Sequence, residues 1–206
     1  MNRKKRGSET KTTADVSAVL MAGVGGQGIL RASDIMCQVI MAEGLDVKKS
    51  EVHGMAQRGG CVTSHVRYGQ KVFSPIERKG NVDILLAFEK LEALRYLEYL
   101  KPEGRIIIND LELYPPAVNL GKMPYPTNAV PLVREAFPTV RVVKGRKLAE
   151  TAGNIRTENT VLLGVLSQWL DFKVDTWEKI LAAAFPPPAV AANLKAFHLG
   201  RDYREV

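Results

Sequence analysis

Ser17–Gly28 reads S-A-V-L-M-A-G-V-G-G-Q-G, and I-L-R-A-S-D-I-M-C-Q-V-I-M-A-E follows it to Glu43. Ser17–Ala22 is a short apolar run ending in glycines, the pattern of a buried strand. At Ile29 the period changes to that of a helix. Ile29, Ile35, Met36, Val39 and Ile40 fall on one face, and Gly44 supplies the stop. Strand, glycine turn and helix in this order open an α/β unit, and the rest of the chain is read outward from it.

Val47–Val52 is a second strand. Cys61–Tyr68 alternates, with Val62, Ser64, Val66 and Tyr68 facing one way and Cys61, Thr63, His65 and Arg67 the other. A turn at Gly69-Gln70 then leads into Lys71–Ser74, which predicts an antiparallel hairpin. Val82–Phe88 is a continuous apolar run, as in a strand covered on both faces. A helix is predicted over Glu89–Leu100, with Leu91, Leu94, Leu97 and Leu100 at a spacing of three and Pro102 and Gly104 closing it. Arg105–Asn109 is a buried strand. Leu113–Pro126, rich in proline, reads as a long surface loop. A short helix near Val130–Phe137 leads to a strand at Thr139–Val143. The last third is helical: Thr157–Leu170, Thr176–Phe185, and Ala189–Phe197 after a stop at Pro186-Pro187-Pro188. The fold class is α/β: a Rossmann-like, mostly parallel sheet with one β-hairpin and a helical C-terminus.

Composition excludes several classes. At 206 residues, 46% hydrophobic and 25% charged, the chain buries a sizeable core and is too apolar for intrinsic disorder. Its longest apolar runs, such as Ala18–Val24, fall far short of the ~20 residues of a membrane helix. Basic residues near the start precede no apolar segment, so no secretory signal is read there. Two cysteines, Cys37 and Cys61, give no disulfide framework and no CxxC pair. They point to a reduced, cytoplasmic setting. Of the net charge of +7, +3 lies before residue 16, where Arg3, Lys4, Lys5, Arg6 and Lys11 stand against Glu9 and Asp15. Residues 1–15 read as a disordered basic tail, and residues 16–206 as a single domain. No aromatic or helix-turn-helix pattern accompanies the basic cluster, so a solvated extension outweighs a nucleic-acid arm.

Gly23-Val24-Gly25-Gly26-Gln27-Gly28 satisfies G-x-G-x-x-G between strand and helix. Such glycines let backbone N–H groups approach a phosphate, beside the partial positive charge of a helix N-terminus. Equally, they permit a tight turn with close helix–strand packing. Spacing leaves both open. A dinucleotide site also wants an acidic residue about 20 positions on; Glu51 stands 51 − 28 = 23 residues after Gly28. Glu51 also opens E-V-H-G-M-A-Q-R-G-G. There Gln57, Arg58, Gly59 and Gly60 form a donor-rich loop after the second strand. It is a candidate edge loop for an anion or a partner, or a plain connection with a solvated arginine. Cys61 and His65 share a strand face but stand roughly 13 Å apart, too far for a thiol–imidazole pair. Cys37 reads as a core residue, and His198 has no evident partner. The three histidines and two cysteines show no metal-ligand spacing, and no nucleophile motif is present.

Taken together, the glycine turn, the loop Glu51–Gly60, S-H-V-R-Y-G (Ser64–Gly69) and D-I-L-L-A-F-E (Asp83–Glu89) carry a family likeness. The chain resembles the gamma subunit, or gamma domain, of 2-oxoacid:ferredoxin oxidoreductases. Within that group it looks most like the beta subunit of indolepyruvate ferredoxin oxidoreductase, whose loop runs A-Q-R-G-G, here Ala56–Gly60. Ala152–Leu166, A-G-N-I-R-T-E-N-T-V-L-L-G-V-L, matches in style, and the likeness spans about residues 16–200. The resemblance implies oxidative decarboxylation of a 2-oxoacid to an acyl-CoA, with ferredoxin as acceptor and coenzyme A as co-substrate. For the indolepyruvate branch the substrates are aryl pyruvates. It implies thiamine diphosphate, Mg and [4Fe–4S] clusters on a large catalytic partner subunit, and none in this chain. It carries over no catalytic residue. Gly23, Gly25, Gly26, Gln27 and Gly28, with Glu51, Gln57, Arg58, Gly59 and Gly60, remain the candidate anion- or partner-docking positions. Neither nucleic acid nor membrane is expected as a partner. A stand-alone NAD(H)-binding module is the alternative.

Overall fold

The computed structural model describes residues 16–53, 60–122 and 124–205. The basic tail, and Gln57, Arg58 and Gly59 of the edge loop, lie outside them. β1 (Ser17–Val24) is buried along Ala18–Gly23, as its unbroken apolar run requires. It lies third in a sheet ordered β2-β3-β1-β4-β5-β6, with β2 at Asp46–His53, β3 at Cys61–Gly69, β4 at Val82–Ala87, β5 at Leu100–Asn109 and β6 at Thr139–Val143. β3 pairs antiparallel with β1 (Val24↔Cys61) and with β2 (His53↔Val62), and the pairs β1–β4, β4–β5 and β5–β6 are parallel. Five strands thus share one direction and β3 opposes them, which gives the mostly parallel α/β sheet.

The larger core joins one face of the sheet to α1 (Ile29–Ala42), α5 (Gly145–Ala152), α6 (Glu158–Ser167), α7 (Val174–Ala184) and α8 (Pro187–Arg201). Trp177 of α7 and Phe197 of α8 stack there at 5.6 Å. The other face buries Leu20, Leu85, Ile106 and Ile108 against α2 (Lys90–Arg95) and α4 (Ala129–Ala136). In α6 every residue from Asn159 to Ser167 is buried, the mark of a helix enclosed on all sides. Its crossing with α8 leaves no room for side chains. A Cβ on Gly164 would stand 2.1 Å from the Phe197 carbonyl oxygen, and one on Gly200 2.0 Å from that of Val161.

Several elements differ from the sequence reading. The predicted hairpin of Cys61–Tyr68 with Lys71–Ser74 does not form; β3 pairs instead with β2, so the hairpin lies one element earlier. The reason is that β1 and β2 already take both edges of β3. Val62 and Val66 face the core with α1, His65 packs against Tyr99 on the other side, and the Val72 amide bonds the Asp46 carboxylate at 2.9 Å. The helix expected over Glu89–Leu100 stops at Arg95, followed by a 3-10 turn at Leu97–Tyr99. Leu100 enters the sheet opposite Val82, and Pro102 sits where the register shifts, a place that tolerates a missing ladder donor. Leu113–Pro126 contains a one-turn helix, α3 (Pro116–Asn119). α5 escaped the sequence reading, and Pro187 and Pro188 begin α8 rather than precede it.

Candidate functional site

β1 is followed by α1 on one face of the sheet and β4 by α2 on the other, so a crevice opens beyond the carboxyl ends of β1 and β4. In open α/β sheets such a switch point is where ligands bind. The glycine turn forms its floor. Gly23 admits no side chain: a Cβ would stand 2.7 Å from Gln27 Oε1, 2.8 Å from Phe88 Cβ and 2.9 Å from Ile29 Cδ1. Gln27 straddles the turn, its Oε1 accepting from the Val24 amide at 2.6 Å and its Nε2 donating to the Phe88 carbonyl at 2.7 Å. Gly28, with φ 78°, is pressed against Asn159 of α6. Gly26 has φ 105°, open space around it, and is exposed. Gly23, Gln27 and Gly28 therefore serve close packing, and Gly26 faces outward.

The Gly25 amide donates to the Gly60 carbonyl at 2.8 Å. This bond ties the glycine turn to Gly60, the residue that leads into β3. Glu51 stands apart from them. Its Cα is opposite Ser64 of β3, which is opposite Met21 of β1, so two strand spacings, roughly 10 Å, separate Glu51 from β1. Its carboxylate pairs with Lys49 at 2.5 Å. The reversed strand β3 occupies the place where a dinucleotide fold keeps its second strand, and Glu51 is not brought to the turn.

Above the floor lies a cleft of about 500 Å³ whose walls include Val24, Gly25, Cys61, Glu92, Arg95 and Tyr114. That volume is ordinary for a small ligand. Glu89, two residues after β4, is the cap of α2, accepting from the Glu92 amide at 3.0 Å and from the Tyr125 hydroxyl. The cap aims Glu92, Arg95 and Tyr96 at the start of β3. The Cys61 thiol donates to Glu92 Oε2 at 3.0 Å and lies 2.8 Å from the Tyr96 hydroxyl, while Arg95 Nη1 holds Glu92 Oε1 at 2.9 Å. Burial, and then the Glu92 carboxylate, pushes the Cys61 thiol up to about 11. Burial likewise raises Glu92 above its ordinary value, and burial followed by Cys61 raises Tyr96. Cys61 therefore presents a thiol rather than a thiolate at neutral pH.

The sequence excludes His65 as a partner of Cys61 and does not reveal Glu92, Arg95 and Tyr96 as its neighbours. The spacing of these three, i, i+3 and i+4, marks one face of a helix; their meeting with Cys61 depends on the sheet order, which spacing does not carry. Among the described residues no group of three or more His, Cys, Asp or Glu is placed to hold a metal ion.

A family model for pyruvate ferredoxin/flavodoxin oxidoreductases matches residues 18–203. The indolepyruvate oxidoreductase subunit IorB of Thermococcus kodakarensis is 38% identical over 187 residues, covering 88% of this chain and 93% of that protein. Among solved structures, the pyruvate oxidoreductase subunit PORC of Thermotoga maritima superposes with a TM-score of 0.69 at 20% identity, over 90% of this chain and 94% of that one. A 2-oxoglutarate:ferredoxin oxidoreductase from Magnetococcus marinus gives the same TM-score at 20% identity, over 90% of this chain but 30% of its own length. There the same fold is one part of a longer polypeptide.

Proposed function

The chain belongs to the pyruvate ferredoxin/flavodoxin oxidoreductase family, and on that premise we propose that it is the small, gamma-type subunit of an indolepyruvate oxidoreductase. The complex oxidatively decarboxylates an aryl pyruvate in the presence of coenzyme A. The products are an acyl-CoA and carbon dioxide, and the electron pair passes to ferredoxin. One observation carries this reading: the near end-to-end match to an indolepyruvate oxidoreductase subunit. The crevice agrees with it. Its protonated thiol donates to the Glu92 carboxyl group, which Arg95 also holds, and a cleft so equipped contributes a wall to a site that another chain completes.

Thiamine diphosphate, Mg and the [4Fe–4S] clusters then reside on the large partner subunit. The chain's own residues do not fit a cluster: it has two cysteines, one in α1 and one in β3, where a cluster takes four thiolates. Thiamine diphosphate supplies the carbanion chemistry when bound to the partner. This chain encloses the site, and the Cys61 thiol keeps its proton at its edge. Gly25 and Gly26, with Gln57–Gly60, form a backbone-lined edge that docks the partner or an anionic group, and the bond from Gly25 to Gly60 supports that pairing. The setting is cytoplasmic, and residues 16–206 fold as one domain. Among the described residues no helix is long and apolar enough to cross a membrane.

The test is anaerobic purification of the tagged full-length chain from its native cells. A brown complex with a large subunit, reducing ferredoxin or a viologen dye when given indolepyruvate and coenzyme A, is the expected result. A colourless chain without a partner would overturn the reading.

A further inference from the structure

α6 begins at the carboxyl edge of the sheet, where Glu158 meets Asn109 of β5 at 2.6 Å. The chain leaves α6 at the opposite end, where Trp169 meets Arg105, a residue in register with Ile84 and Thr139. Four arginines gather there. The guanidinium carbons of Arg105 and Arg141 lie 5.2 Å and 5.1 Å from the Trp169 ring centroid. Arg141 Nη1 and Arg204 Nη1 donate to the same oxygen, Gln168 Oε1, at 2.9 Å and 3.1 Å. Arg201 Nη1 donates to Ser167 Oγ at 3.0 Å and, more weakly, to its carbonyl. The Gln168 amide is fixed in orientation, because its Nε2 donates to the Gly200 carbonyl at 3.1 Å.

Among the described residues none of these four guanidiniums has a carboxylate within salt-bridge distance. The carboxylate facing Arg141 belongs to Glu205, which is already engaged by Arg134 and by the Val142 amide. Capping the carbonyls at the end of α6 accounts for one cation. It does not account for two guanidiniums converging on one neutral oxygen, since like charges brought together cost free energy. Burial, and then Arg204, lowers Arg141 below its ordinary value, as expected where two such charges crowd. Gln168, Trp169, Arg105, Arg141, Arg201 and Tyr203 are all half-buried, and Arg204 is exposed. Arginine, tryptophan and tyrosine are the residue types that dominate binding hot spots, and guanidinium forks match carboxylates.

We propose that the Arg105–Arg141–Arg204 cluster around Trp169 is a docking surface for an acidic segment of the large partner subunit. It lies toward the end of the sheet opposite the cleft, so it holds the complex together without entering the site. This inference rests on the subunit reading above. Its test uses the full complex. Phenylglyoxal labels accessible arginines, and mass spectrometry locates the label. Arg141 and Arg204 are expected to label in the separated chain and to be protected at least tenfold in the complex. The double variant R141E/R204E, checked for folding by circular dichroism, is expected to weaken assembly at least tenfold at low salt. It should also flatten the salt dependence of dissociation, and R141Q/R204Q should give an intermediate effect. Assembly of the wild-type chain with both arginines still labelled would overturn this surface and leave the subunit reading intact. So would protection by inorganic phosphate but not by the large subunit, which would mark a small-anion site. A wild-type chain that finds no large subunit would overturn both.

Discussion

Glu92 has 2% of its surface exposed, yet it touches a thiol, a guanidinium and the cap of its own helix. Because burial raises its folded-state pKa above the ordinary 4.5, the folded chain keeps a proton that the unfolded chain releases. The stability this provides is complete below pH 4.5 and is lost as pH climbs through the raised value. Denaturant titrations across that range are expected to show stability falling with pH in the wild type and a flatter profile in Glu92→Gln. The same substitution removes the carboxylate that helps raise Cys61, so alkylation of Cys61, slow below its pKa of about 11, should begin at lower pH. Gly23→Ala is a different kind of test. Its Cβ would press on Phe88 Cβ and Ile29 Cδ1, and a cost of about 1–3 kcal/mol is expected from chemical unfolding. Gly26→Ala meets no atom and pays for its left-handed backbone alone, about 1 kcal/mol. The sequence located this turn, because glycine between an apolar strand and an apolar helix has few other uses. It did not separate packing glycines from open ones, since that depends on Phe88 and Asn159, which are remote in the chain.

Between elements, the decisive feature is the reversed strand. Alternation in Cys61–Tyr68 reads as a half-exposed hairpin strand, but insertion between β1 and β2 fills both edges of β3 and packing above and below covers Val62–Val66, and a pattern of period two carries no information about neighbours. Glu51 was legible as an acidic residue ending the second strand, and its distance from β1 was not. Titrating the isolated chain with NADH and following nicotinamide fluorescence should therefore give no saturable change. Clear binding would show that the glycine turn takes a dinucleotide without an acidic partner on β2. α5 was overlooked for a related reason: Gly145 is a poor helix former and Arg146-Lys147 put positive charge at the positive end of the helix dipole. Asn109 Oδ1 accepts the Gly145 amide at 3.2 Å and anchors that helix from the sheet. At the α6–α8 crossing, Gly164→Ala drives a methyl group into the Phe197 carbonyl. Backbone cannot step aside as a side chain can, and a loss of about 3 kcal/mol is expected in thermal or denaturant unfolding.

Across the whole molecule, the last third of the chain covers the first. α1 ends at Ala42, while the helices packed on its apolar face, α6 and α7, lie between Glu158 and Ala184. The final residues then close the sheet: Tyr203 donates to the Val142 carbonyl at 2.9 Å, and the Val142 amide donates to Glu205 at 2.9 Å. Both hydrogen-bonding groups of one residue on the edge strand β6 are thereby taken. Removing residues 203–206 frees them, and sedimentation is expected to show self-association of the shortened chain that the full chain lacks. The order of these elements also governs how the protein is made. A ribosome releases α1 and the central strand early, then synthesises 157 − 42 = 115 further residues before α6 begins. At roughly 5–20 residues per second that interval lasts on the order of ten seconds. For that time the nascent half is an unfinished sheet with a sticky side, so soluble yield depends on growth temperature and on holding chaperones more steeply than the stability of the finished fold does.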